Sequence, residues 1–408
     1  MKVLSRRDTG VDKDVIDVPS PVNVCMHVRE VARVDVRVLR EARALVEEGY
    51  AVTIVDVERD RSVPLAEDFD GVHVKHIMKP HWHTPVRMPW RLLRSAEKFM
   101  YSTLTMIRMS ADIYHAHDVK ALPACYITAM VHRKPLIFDA HELPLNELDR
   151  SRWHRLRALL TRLLTHIVAR CSGVITVSPP IAQEICKRYQ PSSVTLVRNI
   201  LAYQAVPKND RLRQHLGLGS EVRIALYQGN IQADRRLDRL VRAAAFLERD
   251  IVIVLMGKKY GETASELEAL ATREGVADRI KILPPVPYAE LLEWTASADV
   301  GLIIYSPDHS LNVQMCLPNK LFEYLMAGLP VLATPLDAVA EILTNYDVGR
   351  IAPSLAAADV AVVINAMLGD HVALERMHHN ALRAVQGDLS WEQERQQLTH
   401  LYKKVLTT

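Results

Sequence analysis

Short apolar runs alternate with longer amphipathic segments along most of the chain, the pattern of a parallel sheet covered by helices. In the first half the apolar runs predict strands at Val22–Met26, Val52–Val55, Val72–His76, Ile113–His115, Leu136–Phe138, Val174–Val177 and Thr195–Val197. The segments between them predict helices near 35–48, 90–109, 119–131, 151–170 and 179–189. The alternation pauses in a polar stretch around Pro207–Asp210 and then restarts. Strands follow at Ile224–Tyr227, Ile251–Leu255, Ile280–Leu283, Val300–Ile303 and Val331–Ala333, with helices near 234–247, 262–274, 288–297, 318–327 and 337–344. Residues 355–408 read as mostly helical.

A run, a pause and a restart predict two doubly wound α/β domains. A (β/α)8 barrel would need eight evenly spaced units with no interruption. Ligands of open parallel sheets sit beyond the carboxyl ends of the strands, so the chemistry is expected in strand-exit loops facing a cleft between the domains.

Composition narrows the class. Of 408 residues, 49% are hydrophobic and 24% charged, ordinary globular values that exclude disordered, collagenous and coiled-coil chains. Lys and Arg number 51 against 48 Asp and Glu, and the net charge of +3 is too small for a nucleic-acid binder. The five cysteines (Cys25, Cys125, Cys171, Cys186 and Cys316) are scattered and never in a CxxC spacing. That disfavours disulfide scaffolds and zinc ribbons and fits a reducing, cytoplasmic setting. Residues 1–20 carry charge throughout, unlike a signal peptide, and no run approaches the ~20 apolar residues of a bilayer-spanning helix. A soluble protein, or one lying on a membrane, is expected.

The most informative segment is Pro318-Asn319-Lys320-Leu321-Phe322-Glu323-Tyr324-Leu325-Met326-Ala327-Gly328-Leu329-Pro330. It opens a helix after a strand and a polar loop (Ser306–Asn312) and closes on Gly-Leu-Pro before the next strand. A helix N-terminus suits an anionic phosphate, and Lys320 in the first turn opposes the helix dipole unless an anion is bound there. Glu323 lies one turn further in, where an ionised carboxylate can accept two hydrogen bonds from a vicinal diol such as ribose. The plain alternative is an amphipathic helix with solvated Lys and Glu and a structural glycine cap.

Tyr227-Gln228-Gly229-Asn230 marks the exit of the first strand of the second domain, with Arg235 and Arg236 following at a helix start. Gly229 lets backbone approach a phosphate and Arg235 supplies a forked donor set, whereas Arg236 reads as a solvated surface residue. Met256-Gly257-Lys258-Lys259 and Leu283-Pro284-Pro285-Val286-Pro287 leave the same sheet edge; the stiff proline loop either cradles a flat base or is only a turn. In the first domain, Ile113-Tyr114-His115-Ala116-His117-Asp118 and Phe138-Asp139-Ala140-His141-Glu142 set histidines and acids just past strands. His115–His117 and His81–His83 have the look of metal pairs, but no third ligand is specified, and His115 reads as a structural histidine. His141, in a loop, is better placed to donate to a sugar hydroxyl or phosphate. No GxSxG, HExxH, P-loop or GxGxxG occurs, which argues against hydrolase, zincin, NTPase and dehydrogenase alternatives. Two segments, 87–108 (Trp90, Arg91, Arg94, Lys98) and 150–170 (Trp153, Arg155, Arg157, Arg162), are basic and apolar together. Each reads first as a sheet-packed helix, with contact to an anionic bilayer as an added expectation.

In order along nearly the whole chain, these segments resemble the family 4 retaining glycosyltransferases of GT-B fold, in the subgroup with a Pro-Asn-Lys-Leu-Phe-Glu-Tyr motif. The matching pieces are Asp35–Val38 leading into 44–52, Ala111–Asp118, Gly173–Ser178, Tyr227–Asn230, Asp299–Leu302 and Pro318–Pro330. The resemblance implies two Rossmann-like domains facing a central cleft: 1–200 binding the acceptor, and 201–387 binding a nucleotide-diphosphate sugar. It also implies that a C-terminal helix (388–408) crosses back onto the first domain. Glu323 matches the family's ribose-binding glutamate. Asn319, Lys320 and Leu321 fall on the turn that meets the diphosphate, Arg235 on a diphosphate-binding basic residue, and Val286 on the base site. His141 matches the histidine at the reaction centre, while Gly229, Asn230 and Gly257 belong to the donor loops.

Three positions depart from the family pattern. Met315 stands where the first of the glutamate pair is usual, Asn230 where a basic residue is usual, and Cys25–Arg29 in place of a Gly-Gly loop. The implied function is retaining transfer of a sugar, from a UDP-sugar by preference, to a hydroxyl acceptor in bacterial glycan, glycolipid or glycosylated-metabolite synthesis. No metal or other cofactor is expected, because Arg235, Lys320 and the helix N-terminus carry the leaving-group charge. The expected partners are the nucleotide sugar and an unidentified acceptor, with no nucleic acid; peripheral contact with the inner membrane face and a homodimer stay open. A GT-B-fold sugar-nucleotide epimerase and a catalytically silent nucleotide-sugar-binding subunit are the alternatives.

Overall fold

The computed structural model describes residues 21–407 apart from 59, 79–87, 146–153 and 307–309. His81, His83, Arg87, Arg150 and Trp153 therefore lie outside the described residues, as do the side chains of Trp90, Arg91, Arg94 and Arg155.

The first eight strands are β1 (Asn23–His27), β2 (Ala51–Glu58), β3 (Ala66–Phe69), β4 (Val72–Met78), β5 (Ile113–His117), β6 (Leu136–Ala140), β7 (Gly173–Thr176) and β8 (Val194–Leu196). They form one sheet in the order β3-β4-β2-β1-β5-β6-β7-β8. The second sheet holds β9 (Arg223–Gln228), β10 (Ile251–Met256), β11 (Ile280–Leu283), β12 (Val300–Ile303), β13 (Val331–Ala333) and β14 (Gly349–Ile351), in the order β11-β10-β9-β12-β13-β14. Chain order reverses between β1 and β5 in one sheet and between β9 and β12 in the other, and such switch points open a crevice beyond the strand ends.

The strands read as continuous apolar runs because both faces are covered. All six residues of β10 are buried, and apolar clusters line each side of it. The predicted strands are all present within a few residues. Two short ones went unpredicted: β3, the antiparallel partner of β4, and β14. Among helices, the one expected over 234–247 is broken into a 3₁₀ turn (Ala233–Arg235), a helix (Asp238–Ala243) and a second 3₁₀ turn (Ala244–Phe246). Arg236 interrupts it with a φ of 54°. The polar loop after β12 contains a short helix, Leu311–Met315, capped by the Ser310 hydroxyl.

Among the contacts that join the two halves, the C-terminal helix, an ion pair and a short helix stand out. The helix Trp391–Thr407 returns to the first domain, where Trp391, Leu398, Leu401, Tyr402 and Val405 share a cluster with Leu45, Ile54 and Val197. Arg198 donates to Glu394 from both its backbone N–H (2.6 Å) and its guanidinium (2.7 Å). The helix Leu311–Met315 leans on the first domain: Leu143 N–H donates to Asn312 Oδ1 at 3.0 Å and Ser178 Oγ to the Met315 carbonyl at 2.5 Å.

Candidate active site

The loops leaving β9, β10, β11 and β12 meet the helix Asn319–Met326 around a cavity of about 420 Å³. Gly229, Asn230, Arg235, Gly257, Val286, Asn319, Lys320 and Glu323 all line it. Leu321, expected beside them, does not: it is fully buried in the second-domain core with Phe322 and Leu325. On a helix, residues one position apart face different directions, and the face that carries Lys320 and Glu323 turns Leu321 inward.

The solvated-helix reading fails at two residues: Lys320 and Glu323 are each only 8% exposed. Lys320 Nζ lies 3.9 Å from the ring centroid of Tyr227 and 5.1 Å from that of Tyr305, an aromatic seat for an ammonium. Burial and the nearby Arg235 lower its pKa to about 7, with Glu323 pulling weakly the other way. Arg235 also rests on the Tyr305 ring, its guanidinium carbon 5.1 Å from the centroid. Two cations thus share one aromatic wall, an arrangement that favours an anion between them.

Glu323 is pushed upward from the usual carboxylate range by burial, against the hydrogen bond from Gln228 Nε2 and the charge of Lys320. Gln228 is itself fixed, since its Oε1 accepts from Thr295 Oγ1 at 2.8 Å and its N–H donates to Tyr324 Oη at 2.9 Å. The carboxylate therefore has one oxygen committed to Gln228 and stands at the wall of the cavity, where a diol can reach it. Tyr227, Gln228, Tyr288 and Tyr305 complete this wall and were not singled out as site residues. For Gln228 the signal was present in the strand exit itself; for Tyr305 there was none. Arg236 pairs with Asp238 at 3.4 Å and does not line the cavity.

A second cavity, of about 600 Å³, opens on the first-domain side and meets the first at Pro318 and Asn319. His141 lines it, at the end of β6. Its Nε2 lies 2.8 Å from Asp139 Oδ2, and Asp139 takes a forked pair from Arg37, Nε at 2.9 Å and Nη2 at 2.8 Å. His117 Nδ1 is 3.2 Å from the same Asp139 oxygen. Burial works against charge on His141, but the Asp139 carboxylate outweighs it and raises the pKa to about 9. His115 is a core residue, stacked on His117 with centroids 4.2 Å apart and bonded through Nδ1 to Tyr402 Oη at 2.7 Å.

Glu41, His115, His117 and Asp139 bring potential ligand atoms within 4.8 Å of one another. The Arg37 guanidinium already lies between the two carboxylates, 3.0 Å from Glu41 and 2.8 Å from Asp139, and supplies the positive charge that a bound cation would bring. Met315 is only half-buried, yet it packs on the first-domain cluster that includes Leu143, Val177 and Ile181. Its backbone carbonyl takes the Ser178 hydroxyl. The position is spent on domain contact.

Two doubly wound sheets facing a shared cleft, with two cations on one aromatic wall on one side and a partly buried histidine on the other, define a GT-B glycosyltransferase. Residues 34–201 match the family described as Glycosyltransferase Family 4, and residues 222–370 match Glycosyl transferases group 1. The chain belongs to the family 4 glycosyltransferases. Among curated relatives it is 23% identical over 393 residues to D-inositol 3-phosphate glycosyltransferase 1 of Catenulispora acidiphila, covering 91% of this chain and 90% of that one. A D-inositol 3-phosphate glycosyltransferase of Thermomonospora curvata is 27% identical over 203 residues, 47% of this chain and 45% of the other. Sucrose-phosphate synthase of Thermosynechococcus elongatus superposes with a TM-score of 0.76 at 16% identity, over 95% of this chain and 99% of the other. HepE of Anabaena, solved with UDP and glucose, superposes with a TM-score of 0.70 at 16% identity, over 94% and 99%.

Proposed function

We propose that this glycosyltransferase moves a sugar, with retention at the anomeric carbon, from a nucleotide-diphosphate sugar to a hydroxyl acceptor, and that the donor is a UDP-sugar. The observation that carries the reading is the one-turn spacing of Lys320 and Glu323. An anion-binding cation and a diol-binding carboxylate stand side by side, both nearly buried, at the wall of one cavity. The complex of HepE with UDP and glucose, on the same fold, supports the donor class.

In this reading the base lies against Pro285 and Val286 and the ribose diol on Glu323, while the diphosphate meets Lys320, Arg235 and the N–H groups at Asn319. The first domain holds the acceptor, and His141 faces the departing group from that side. The bond from the anomeric carbon to the β-phosphate oxygen breaks as the acceptor oxygen bonds from the same face. The acceptor proton passes to the departing phosphate. Charge on the nucleoside diphosphate is neutralised by Arg235, Lys320 and the helix start, without a metal. A cytoplasmic setting fits, since among the described residues no single helix is long and apolar enough to cross a membrane. Exposed Met100, Tyr101 and Leu104 on one first-domain helix, and Leu159 and Leu163 on another beside Arg162, support docking at an anionic membrane face.

The test is transfer and hydrolysis with UDP-, GDP-, ADP- and dTDP-sugars, comparing the native protein with Glu323→Ala and Lys320→Ala. Turnover of one donor, lost in both variants, is expected; unchanged turnover in both would sink the site. Met315 favours one other reading, a silent partner subunit, and donor binding without any turnover is the result that selects it.

A further inference from the structure

We propose that Arg37 and Asp139 are a buried positioning pair that holds His141 as a cation facing the cleft, poised to donate to the group that departs during transfer. The proposal rests on the reading of His141 as a reaction-centre residue.

The geometry comes from three elements. Asp139 stands on β6, two residues before His141, and is completely buried. Arg37, on the helix Val36–Glu47, reaches it with the forked pair described above, and its Nη1 donates to the Val197 carbonyl at 2.9 Å. The two guanidinium bonds to Asp139, with the third anchoring Arg37 to Val197, fix the carboxylate plane, and Asp139 Oδ2 lies 2.8 Å from His141 Nε2. His141 therefore donates through Nε2 to Asp139, and its Nδ1 makes no hydrogen bond among the described residues. The ring is pinned at one nitrogen and free at the other, on the wall of the cavity that meets the second-domain site.

The charges around the imidazole separate the two partners' roles. Asp139 and Asp118 favour the imidazolium, whereas burial and Arg37 oppose it. His115, Glu41 and His117 also face the group: burial and His117 keep His115 neutral, and burial raises Glu41 toward its protonated form. Arg37 thus works electrostatically against the very charge on His141. Its contribution is the orientation of Asp139, and Asp139, with Asp118 adding less, supplies the attraction. A purely structural salt bridge would not split this way.

The test uses the full chain with histidine-selective isotope labelling, His141→Gln to assign the resonance, and parallel steady-state kinetics over pH. In the native protein a His141 midpoint of about 9 is expected. Asp139→Asn is expected to bring the midpoint below the ordinary value of about 6.5, because burial is then opposed only by Asp118. Arg37→Met is expected to leave the midpoint at or above the native value while kcat falls at least tenfold and the donor KM stays within about twofold. Arg37→Lys should recover part of that kcat. The double variant Arg37→Met/Asp139→Asn leaves no unpaired buried charge in the pair, and melts cooperatively if either single variant fails to fold; its His141 must titrate below 6.5. An unmoved midpoint without Asp139, or one that drops without Arg37, overturns the proposal. Full activity of His141→Gln would instead remove the reading on which it rests.

Discussion

A β-carbon built on Gly257 would lie 1.8 Å from the carbonyl oxygen of Gly229. The exits of β9 and β10 are therefore packed backbone on backbone, and they form one wall of the donor cavity together. Gly257→Ala must force the two loops apart by more than an ångström. Displacements of that size in positioning residues cost on the order of 10²-fold in turnover. A loss near 10²-fold in kcat/KM, with the melting transition still cooperative, is expected; native kinetics would contradict the close packing.

Lys320 couples donor binding to protons. With a pKa near 7 the ammonium is half deprotonated in the empty enzyme at neutral pH, and a bound diphosphate stabilises the charged form. Binding should take up protons, and affinity should weaken as pH rises through 7. Calorimetry of UDP binding in buffers of different ionisation enthalpy measures the uptake directly. A buffer-independent enthalpy between pH 7 and 8 would refute it.

The same lysine destabilises the fold. Its folded pKa is depressed below the ordinary lysine value of 10.5, so the unfolded chain binds the extra proton. Stability should accordingly rise with pH between about 7 and 10. Lys320→Met, which removes the desolvated charge, should raise Tm at pH 7 while abolishing donor binding. Those opposite signs mark a functional residue, since a structural one loses both together.

Glu323 should read the ribose. If its free oxygen takes the diol, UDP binds more tightly than its 2′-deoxy counterpart, by about tenfold for one lost hydrogen bond to a charged group. Glu323→Ala should erase the difference. Gln228→Leu, which frees the second oxygen, should reduce it without eliminating it.

Met315→Glu restores the carboxylate usual in the family, yet it should not improve activity. The side chain packs against a first-domain apolar cluster, and an unpaired carboxylate there costs several kcal/mol or pries the domains apart. A lower Tm and a larger radius in small-angle scattering are expected. A gain in turnover would show that the side chain can swing into the donor cavity.

What the sequence revealed depended on how the signal was carried. The central strands declared themselves because burial on both faces demands runs such as Ile251–Met256. Strand β3 has only Ala66 and Phe69 as apolar residues and pairs at the sheet edge, so its apolar pattern is too thin; the Asp70-Gly71 turn that joins it to β4 was the usable clue. The helix starting at Asn319 was legible from Pro318 at its start and Gly328 at its end, and its anion site from Lys320 set against the helix dipole. Its neighbour Leu321 was misread as a ligand contact, since a motif conveys register but not which way each side chain faces. Arg37 and Glu41 look like any helical ion pair at i and i+4. Only the fold brings Arg37 to Asp139, 102 positions away.

The chain passes between the two sheets twice, once through the segment after β8 and once into the helix Trp391–Thr407, where Arg198 and Glu394 clasp the two passages together. A single link would allow one half to swivel in any direction about the other. Two links fastened side by side resist twist, and the seat of Leu311–Met315 on Leu143 and Ser178 adds a third point, so the facing walls keep their register. The cavity that His141 lines and the one that Lys320 lines are thereby held in one alignment, meeting at Pro318 and Asn319.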